Sequence, residues 1–435
     1  DLAALSPDAR ASLFRDSIQT DHAYSYGDRL YMFRITDPIR GVVEPWGLHL
    51  YPTVLATAYS LGGIWALFWA MPVMATLALI AFFFLVRRLF GAPVAALASL
   101  LLLVNPAVPW FARYPVAESL VQLWLLAGLL AFVIMWDTRS TRLAVLAGAM
   151  LGAVHLTKIE AVVLPVVLAV FFLHQWLTGR WRAEYGYLIV TYLIFLIHAV
   201  LHAHFVATFY SYYHLDAVVL REMSSQLLYV VLGLAVVVLL GLLLGRRWLT
   251  AVLARQSWHG LAGRGLVVGL VLLAAYAYYL RPRLGAPTGP LTTLAREQLV
   301  DAANSLSFVI LGWYVTPLGL LLGTLGCAAA ITSARSARAL PVLSLAMLET
   351  AWLLYDARVT PVHFWAARRY LPMVFPAFAM FIAYGLLRLQ VALRRHWPEA
   401  LVPLALGCVV FLSGLGAWMP FIQHVEYRGA VEQYG

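Results

Sequence analysis

The sequence predicts an all-α, polytopic helical membrane protein, and three observations carry that prediction. Of the 435 residues, 63% are hydrophobic and only 11% are charged, with a mean hydropathy of +0.83, a balance foreign to soluble domains. Apolar runs close to the roughly 20 residues that cross a bilayer recur along the whole chain. The short segments between those runs alternate in charge. Arg87/Arg88, Arg139/Arg142, Arg180/Arg182, Arg246/Arg247/Arg255/Arg264, Arg335/Arg338 and Arg388/Arg394/Arg395 fall in every second loop, fifteen arginines against three acids, Asp137, Glu184 and Glu399. The other segments hold fifteen basic and sixteen acidic residues, with Glu349 left inside a span. A Lys/Arg excess marks the cytoplasmic side. The arginine-rich loops are therefore expected inside, and chemistry that needs carboxylates is expected outside.

Taken in order, spans are expected at 64–86, 92–111, 117–136, 143–156, 159–177, 185–204, 227–245, 265–280, 306–332, 338–355, 370–388 and 400–420. That makes twelve. Residues 51–63 read as an interfacial lead-in to the first. The span at 143–156 is too short to cross squarely and is coupled closely to 159–177. The N-terminal segment falls outside by the charge rule yet opens with no signal peptide, so an inside-to-outside helix is expected upstream of residue 1. The domain reading is an outer (periplasmic or extracellular) loop with juxtamembrane helices over 1–50, a helical bundle over 51–420, and an outer tail over 421–435. In 291–304, Leu291, Leu294, Leu299 and Ala302 keep helical spacing, which suits a helix lying along the membrane surface. Trp46, Tyr51, Trp110, Tyr114, Trp136, Trp181, Tyr185, Trp365 and Tyr370 recur near span ends, as interfacial belts do.

Composition also excludes. A pI near 9.7 commonly signals nucleic acid, but here the positive charge sits in short loops, where topology and membrane lipids account for it; no nucleic-acid partner is expected. The two cysteines, Cys327 and Cys408, lie in apolar spans, so neither a structural disulfide nor a cysteine metal site is expected.

Four clusters could carry chemistry. Lys158 is the only lysine of the chain and sits in HLTKIE, two residues from Glu160. The pair reads either as a mutually satisfied clamp on a tight helical hairpin or as a functional site, since ionisable groups at membrane depth are costly. A lone ammonium near the outer interface suits an anionic headgroup such as phosphate. NPAVPWFARYPVAES (105–119) breaks the backbone with three prolines and puts Arg113 and Glu118 at the outer mouth, either as an exposed turn with a surface ion pair or as part of a site. PVHFWAARRYLP (361–372) brings His363, Arg368 and Arg369; two adjacent arginines on the outer side run against the charge rule and point to an anion. The N-terminal segment offers Asp8, Asp16, Asp21, Asp28, Asp37 and Glu44 as bases. His198 and His202 stand at i, i+4 with His204 and His214 nearby. Interfacial histidines show that spacing without metal, so no metal is expected.

Taken together, these pieces resemble the GT-C class of membrane glycosyltransferases, and most closely the protein O-mannosyltransferase and aminoarabinose-transferase group. Four stretches carry the likeness: GLHLYPTVLATAYSLGG (47–63), WFARYPVAESL (110–120), GAMLGAVHLTKIEAVVLPVVL (148–168) and RRYLPMVFPAFAMFIAYGLLRL (368–389). The resemblance implies a GT-C-like bundle of thirteen spans counting the upstream one, and a sugar donor carried on polyprenyl phosphate. It implies no cofactor and demands no metal. The family's catalytic aspartate follows its first span; PDARASLFRDSI (7–18) puts Asp8 in that position, with Ala9 where a second acid often stands. Asp8 is then the base, and Glu118 orients the acceptor or Arg113. Lys158, Arg368 and Arg369, with Arg113, Glu160 and His363 behind them, hold the phosphate. The partners are the donor, membrane lipids and an unidentified acceptor.

Two rivals remain. A membrane subunit that kept the scaffold without catalysis would act within a larger membrane complex. A lipid or solute transporter would place its charges near the bilayer midplane and show two similar halves, whereas the charges here gather at the outer mouth.

Overall fold

The computed structural model describes residues 29–30, 33–37, 42–45, 47–158, 161, 163–211, 256–285, 302, 304–332, 336–355, 367–393 and 407. The spans expected at 227–245 and, but for residue 407, at 400–420 lie outside that set, as do most of 291–304 and the tail 421–435.

Most of 1–50, including where juxtamembrane helices are expected, lies outside the described residues; those described there form a small antiparallel sheet of β1 (Arg29–Leu30), β2 (Phe33–Asp37) and β3 (Val42–Pro45) in the order β1-β2-β3. In the sequence, apolar Phe33 and Ile35 alternate with polar Arg34 and Thr36, the period-two pattern expected of a strand. Arg34 stands opposite Glu44 in the register of the ladder.

The rest of the described chain is helical. Helix α1 (Leu50–Phe90) bends at Gly62 and Gly63, where φ is −151° and +66°. Gly63 takes a backbone that a side chain would resist. The bend falls at the end of the expected lead-in, 51–63, before the long apolar run that follows. After Gly91 come α2 (Ala92–Leu103) and the short α3 (Ala107–Phe111). The expected continuous span at 92–111 is therefore broken, because Pro106 and Pro109 remove backbone donors. Asn105 bridges the break: its Oδ1 accepts from the Ala107 amide at 3.1 Å and its Nδ2 donates to the Tyr314 carbonyl at 3.4 Å.

A hairpin follows. α4 (Ala117–Thr138) ends on Arg139, which is left-handed at φ 59°, and α5 (Thr141–Thr157) starts on the Ser140 cap. α6 (Val163–Leu177) and α7 (Ala183–Phe205) complete the first half. Next come α8 (Gln256–Ala275), a π turn over Tyr276–Leu280 and a short turn over Arg281–Leu284.

The span expected at 306–332 is two helices, α9 (Ser307–Val315) and α10 (Pro317–Thr332), bent by 100°. Pro317 disfavours helical backbone at the residue before it, and Thr316 turns the chain at φ 68°, ψ 154°. α11 (Ser336–Tyr355) and α12 (Val374–Leu393) close the described set. Arg281 donates to the Leu354 carbonyl at 2.6 Å and to that of Tyr355, satisfying the end of α11 where carbonyls lack helical partners. Among the described residues, five helices are long and apolar enough to cross a membrane, or six if the bent pair is one span.

Close approach depends on small residues, as membrane helix packing does. A Cβ at Gly148 would sit 2.5 Å from the Leu188 carbonyl oxygen, and one at Gly152 would sit 2.5 Å from Cβ of Phe195. This seats α5 on α7 through a GxxxG step. A Cβ at Gly326 would collide with the Phe381 carbonyl, and one at Gly385 would lie 2.9 Å from that of Leu322, so α10 and α12 meet backbone to backbone.

These packings give the bundle two distinct ends. At one end Arg88 faces Asp137 at 3.6 Å, Phe90 meets Tyr384 at 4.6 Å, and Arg388 lies over Tyr384. Arg139, Arg180 and Arg182 gather at this end around one cavity. The α4–α5 hairpin places Glu118 and Lys158 at the opposite end.

Candidate functional site

Glu118 occupies the first turn of α4, just after Pro115 and the extended Val116. A carboxylate suits that position because the helix dipole is positive there. Lys158 is the residue after α5, with extended backbone (φ −151°, ψ 132°) and its amide donating to Val154. Arg368 opens the 3-10 turn Arg368–Tyr370 that feeds α12. Three segments far apart in sequence thus deliver one acid and two bases to one place. Lys158 Nζ donates to Glu118 Oε1 at 2.7 Å, and Arg368 Nε lies 3.3 Å from the same oxygen.

Exposure separates the roles. The Glu118 side chain is 3% accessible, that of Lys158 14% and that of Arg368 26%. The acid is sealed in, while both cations keep an open side. Burying a carboxylate alone would cost several kcal/mol, which two cations in direct contact offset.

One turn along α4, Gln122 Nε2 donates to the Leu371 carbonyl at 2.7 Å. This buried tie fixes the 368–373 turn, and hence Arg368, against Glu118. Below Lys158, His155 Nε2 meets the Tyr192 hydroxyl at 2.7 Å and pins the end of α5 to α7. Arg369 shares a cavity of about 30 Å³ with Lys158 and Glu349, room for about one water. Among the described residues the cluster sets three cations against two acids.

Several expected associations change. Glu118 is not half of an exposed ion pair with Arg113. It is buried, and Arg113 is exposed with its guanidinium 5.1 Å from the centre of the Trp110 ring. The described partner of Lys158 is Glu118, forty residues upstream; Glu160 lies outside the described residues, as do Asp8 and His363. Arg368 and Arg369 both reach the cluster. Gln122, His155 and Glu349 were missed as site-building residues. For Glu349 a signal existed, since a lone acid inside an apolar span asks for a partner. For Gln122 and His155 nothing local announced the bond.

His198 and His202 also acquire an unforeseen neighbour. His49, just before α1, stacks obliquely at 5.0 Å from His198 and 4.3 Å from His202. Burial and the His198 ring hold the His49 pKa below its usual value. Among the described residues no group of three such side chains has metal-holding geometry.

Residues 49–205 match the model of the family described as dolichyl-phosphate-mannose-protein mannosyltransferase. That stretch contains Arg113, Glu118 and Lys158. The chain is also similar in outline to solved structures. The Archaeoglobus fulgidus oligosaccharyltransferase AglB, in complex with an inhibitory peptide and a dolichol-phosphate, is 12% identical over 86% of this chain and 47% of its own, with a TM-score of 0.45. The apo form of the Archaeoglobus fulgidus oligosaccharyltransferase gives 15%, 94%, 51% and 0.47. ArnT from Cupriavidus metallidurans bound to undecaprenyl phosphate gives 14%, 89%, 73% and 0.34. The chain spans about half the length of the oligosaccharyltransferases it matches. None of the curated proteins compared with it matches. Over residues 49–205, about a third of the chain, the match to that family model agrees with the resemblance that its motifs suggest.

Proposed function

We propose that the protein is an integral-membrane glycosyltransferase that moves a sugar from a polyprenyl-phosphate donor to an acceptor on the outer side of the membrane, with inversion at the anomeric carbon. The observation that carries this reading is the buried Glu118 holding two partly open cations, Lys158 and Arg368, at the end of the bundle away from the arginine-rich loops. In such a reaction negative charge grows on the leaving phosphate. Cations fixed in advance beside it stabilise the transition state more than mobile ones, because nothing reorganises as the bond breaks. Lys158 serves as a point charge, and Arg368 and Arg369 as planar donors to phosphate oxygens. Glu118 keeps the first two in place. Arg113, Glu160 and His363 lie further along the same face of the sequence-derived topology.

Asp8 is proposed as the base. It takes the proton from an acceptor hydroxyl or amine as that group attacks the anomeric carbon, a role that requires hydrogen-bonding reach. The bond to the phosphate oxygen breaks on the opposite face, and the electron pair leaves with polyprenyl phosphate. The lipid donor reaches the site along the apolar helices, so no nucleotide-binding loop is needed. The family description supports a polyprenyl-phosphate sugar as donor.

The test is sugar transfer from a panel of polyprenyl-phosphate sugars by full-length protein in detergent, beside Asp8→Asn. Turnover lost in the variant supports both the reaction and the base. Turnover kept in the variant supports the reaction and moves the base upstream. No turnover with any donor by folded protein favours the second reading, a non-catalytic subunit of a larger membrane complex, which Ala9 in place of a second acid motivates.

A further inference from the structure

The end of the bundle opposite Glu118 carries a second built cavity, of about 410 Å³, a size typical of small-ligand sites. Its cations come from separate loops: Arg139 from the α4–α5 turn, and Arg180 and Arg182 from the α6–α7 turn. Among the described residues no carboxylate lines it. Of the loop acids nearby, Asp137 faces Arg88 at 3.6 Å and Glu184 lies in the first turn of α7.

The walls are aromatic. Arg182 stacks on Trp136 at 4.3 Å from the ring centre while one of its nitrogens donates to the Trp136 carbonyl at 3.2 Å. Its guanidinium is thereby held at the cavity wall, and Arg139 and Arg180 are exposed beside it. The floor supplies a second, independent observation. Gln175 is 5% exposed and lines the cavity, and its Oε1 has no hydrogen-bond partner among the described residues. A buried carboxamide oxygen left unpaired costs about 1–3 kcal/mol, which a ligand carrying a hydrogen-bond donor relieves.

We propose that this cavity binds a phosphate group that carries a neighbouring hydroxyl, the chemistry of an anionic phospholipid headgroup such as phosphatidylglycerol. The arginines take the phosphate oxygens, and Gln175 accepts from the hydroxyl. The indole of Trp181, 45% exposed beside the cavity, sits as interfacial tryptophans do at headgroup level. Basic pockets between membrane helices at the arginine-rich end are suited to such headgroups. This site is independent of the sugar-transfer reading, because it shares no residue with the Glu118 cluster.

The experiment compares delipidated protein in neutral detergent with the Arg139→Gly/Arg180→Gln double variant. Gly suits the left-handed backbone at residue 139, and residue 180 is exposed, so the fold is preserved; an unchanged melting curve without lipid checks this. Binding is read by native mass spectrometry and thermal shift with phosphatidylglycerol, phosphatidylcholine and inorganic phosphate. The expected result is preference for phosphatidylglycerol over phosphatidylcholine, with affinity falling roughly 30-fold in the double variant. Inorganic phosphate that matches phosphatidylglycerol would support the phosphate site and name a soluble anion as its source. Equal binding of the two lipids, or a variant that binds phosphatidylglycerol as the natural protein does, overturns the proposal. A Gln175→Leu variant adds a second reading: it should weaken phosphatidylglycerol while leaving inorganic phosphate unchanged.

Discussion

At the scale of single residues, Lys158 decides most. It is the only lysine in the chain, and its ammonium lies in direct contact with a carboxylate sealed from solvent. Replacing it by Met leaves Glu118 with Arg368 as its described partner. Removing one member of a buried pair costs about 3–5 kcal/mol, and the second cation brings the expected loss to the lower edge, roughly 3 kcal/mol. Chemical denaturation of Lys158→Met should read that loss, and titration with polyprenyl phosphate should show that binding is lost with it. Arg87→Ala, at the far end of the bundle, should leave both unchanged; equal donor affinity in the two variants would remove Lys158 from the site. The importance of Lys158 was visible in the sequence because it stands alone. Its contact with Glu118 was not. Glu160, two residues away, lies outside the described residues, and only the return of α5 alongside α4 brings Glu118 within 2.7 Å.

Helices and their joints carry a different kind of information. Gly326 and Gly385 let α10 and α12 touch through their backbones, so Gly326→Leu should force the pair apart. Overpacking of this type costs about 1–3 kcal/mol or more, and the drop in melting temperature should exceed that of Gly263→Leu, which meets open space. The joint at Thr316 points the other way. A β-branched residue at φ 68°, ψ 154° is strained by about 1–3 kcal/mol. Its hydroxyl accepts from the Gly319 amide at 3.0 Å, a cap worth only a few tenths of a kcal/mol relative to glycine. Thr316→Gly should therefore stabilise the protein by about 1 kcal/mol, read by thermal unfolding; a destabilised variant would mean that the cap outweighs the strain. Apolar periodicity and length located these helices. The 100° bend inside 306–332 was signalled only by Pro317, because a proline is compatible both with a kinked span and with a full reversal.

For the molecule as a whole, the alternation of arginine-rich and acid-bearing loops states a topology that can be tested without any substrate. Arg113→Cys should react with a membrane-impermeant maleimide from outside intact cells, and Arg180→Cys only after permeabilisation. Labelling of both from one side would refute the assignment of the two faces. The sequence by itself determined that the chain is a polytopic helical membrane protein and which stretches resemble a membrane glycosyltransferase. Those properties are sums over many residues, of hydropathy and charge, and survive the loss of any single contact. The tertiary structure alone decided that Glu118 is buried rather than exposed, that Lys158 and Arg368 share its oxygen, that Gln122 locks the turn bearing Arg368, and that Arg139, Arg180 and Arg182 enclose one cavity. Each of these joins residues from different helices, and which helices become neighbours is set by close approach at positions such as Gly148, Gly152 and Gly326, whose spacing in the sequence does not name the helix they meet.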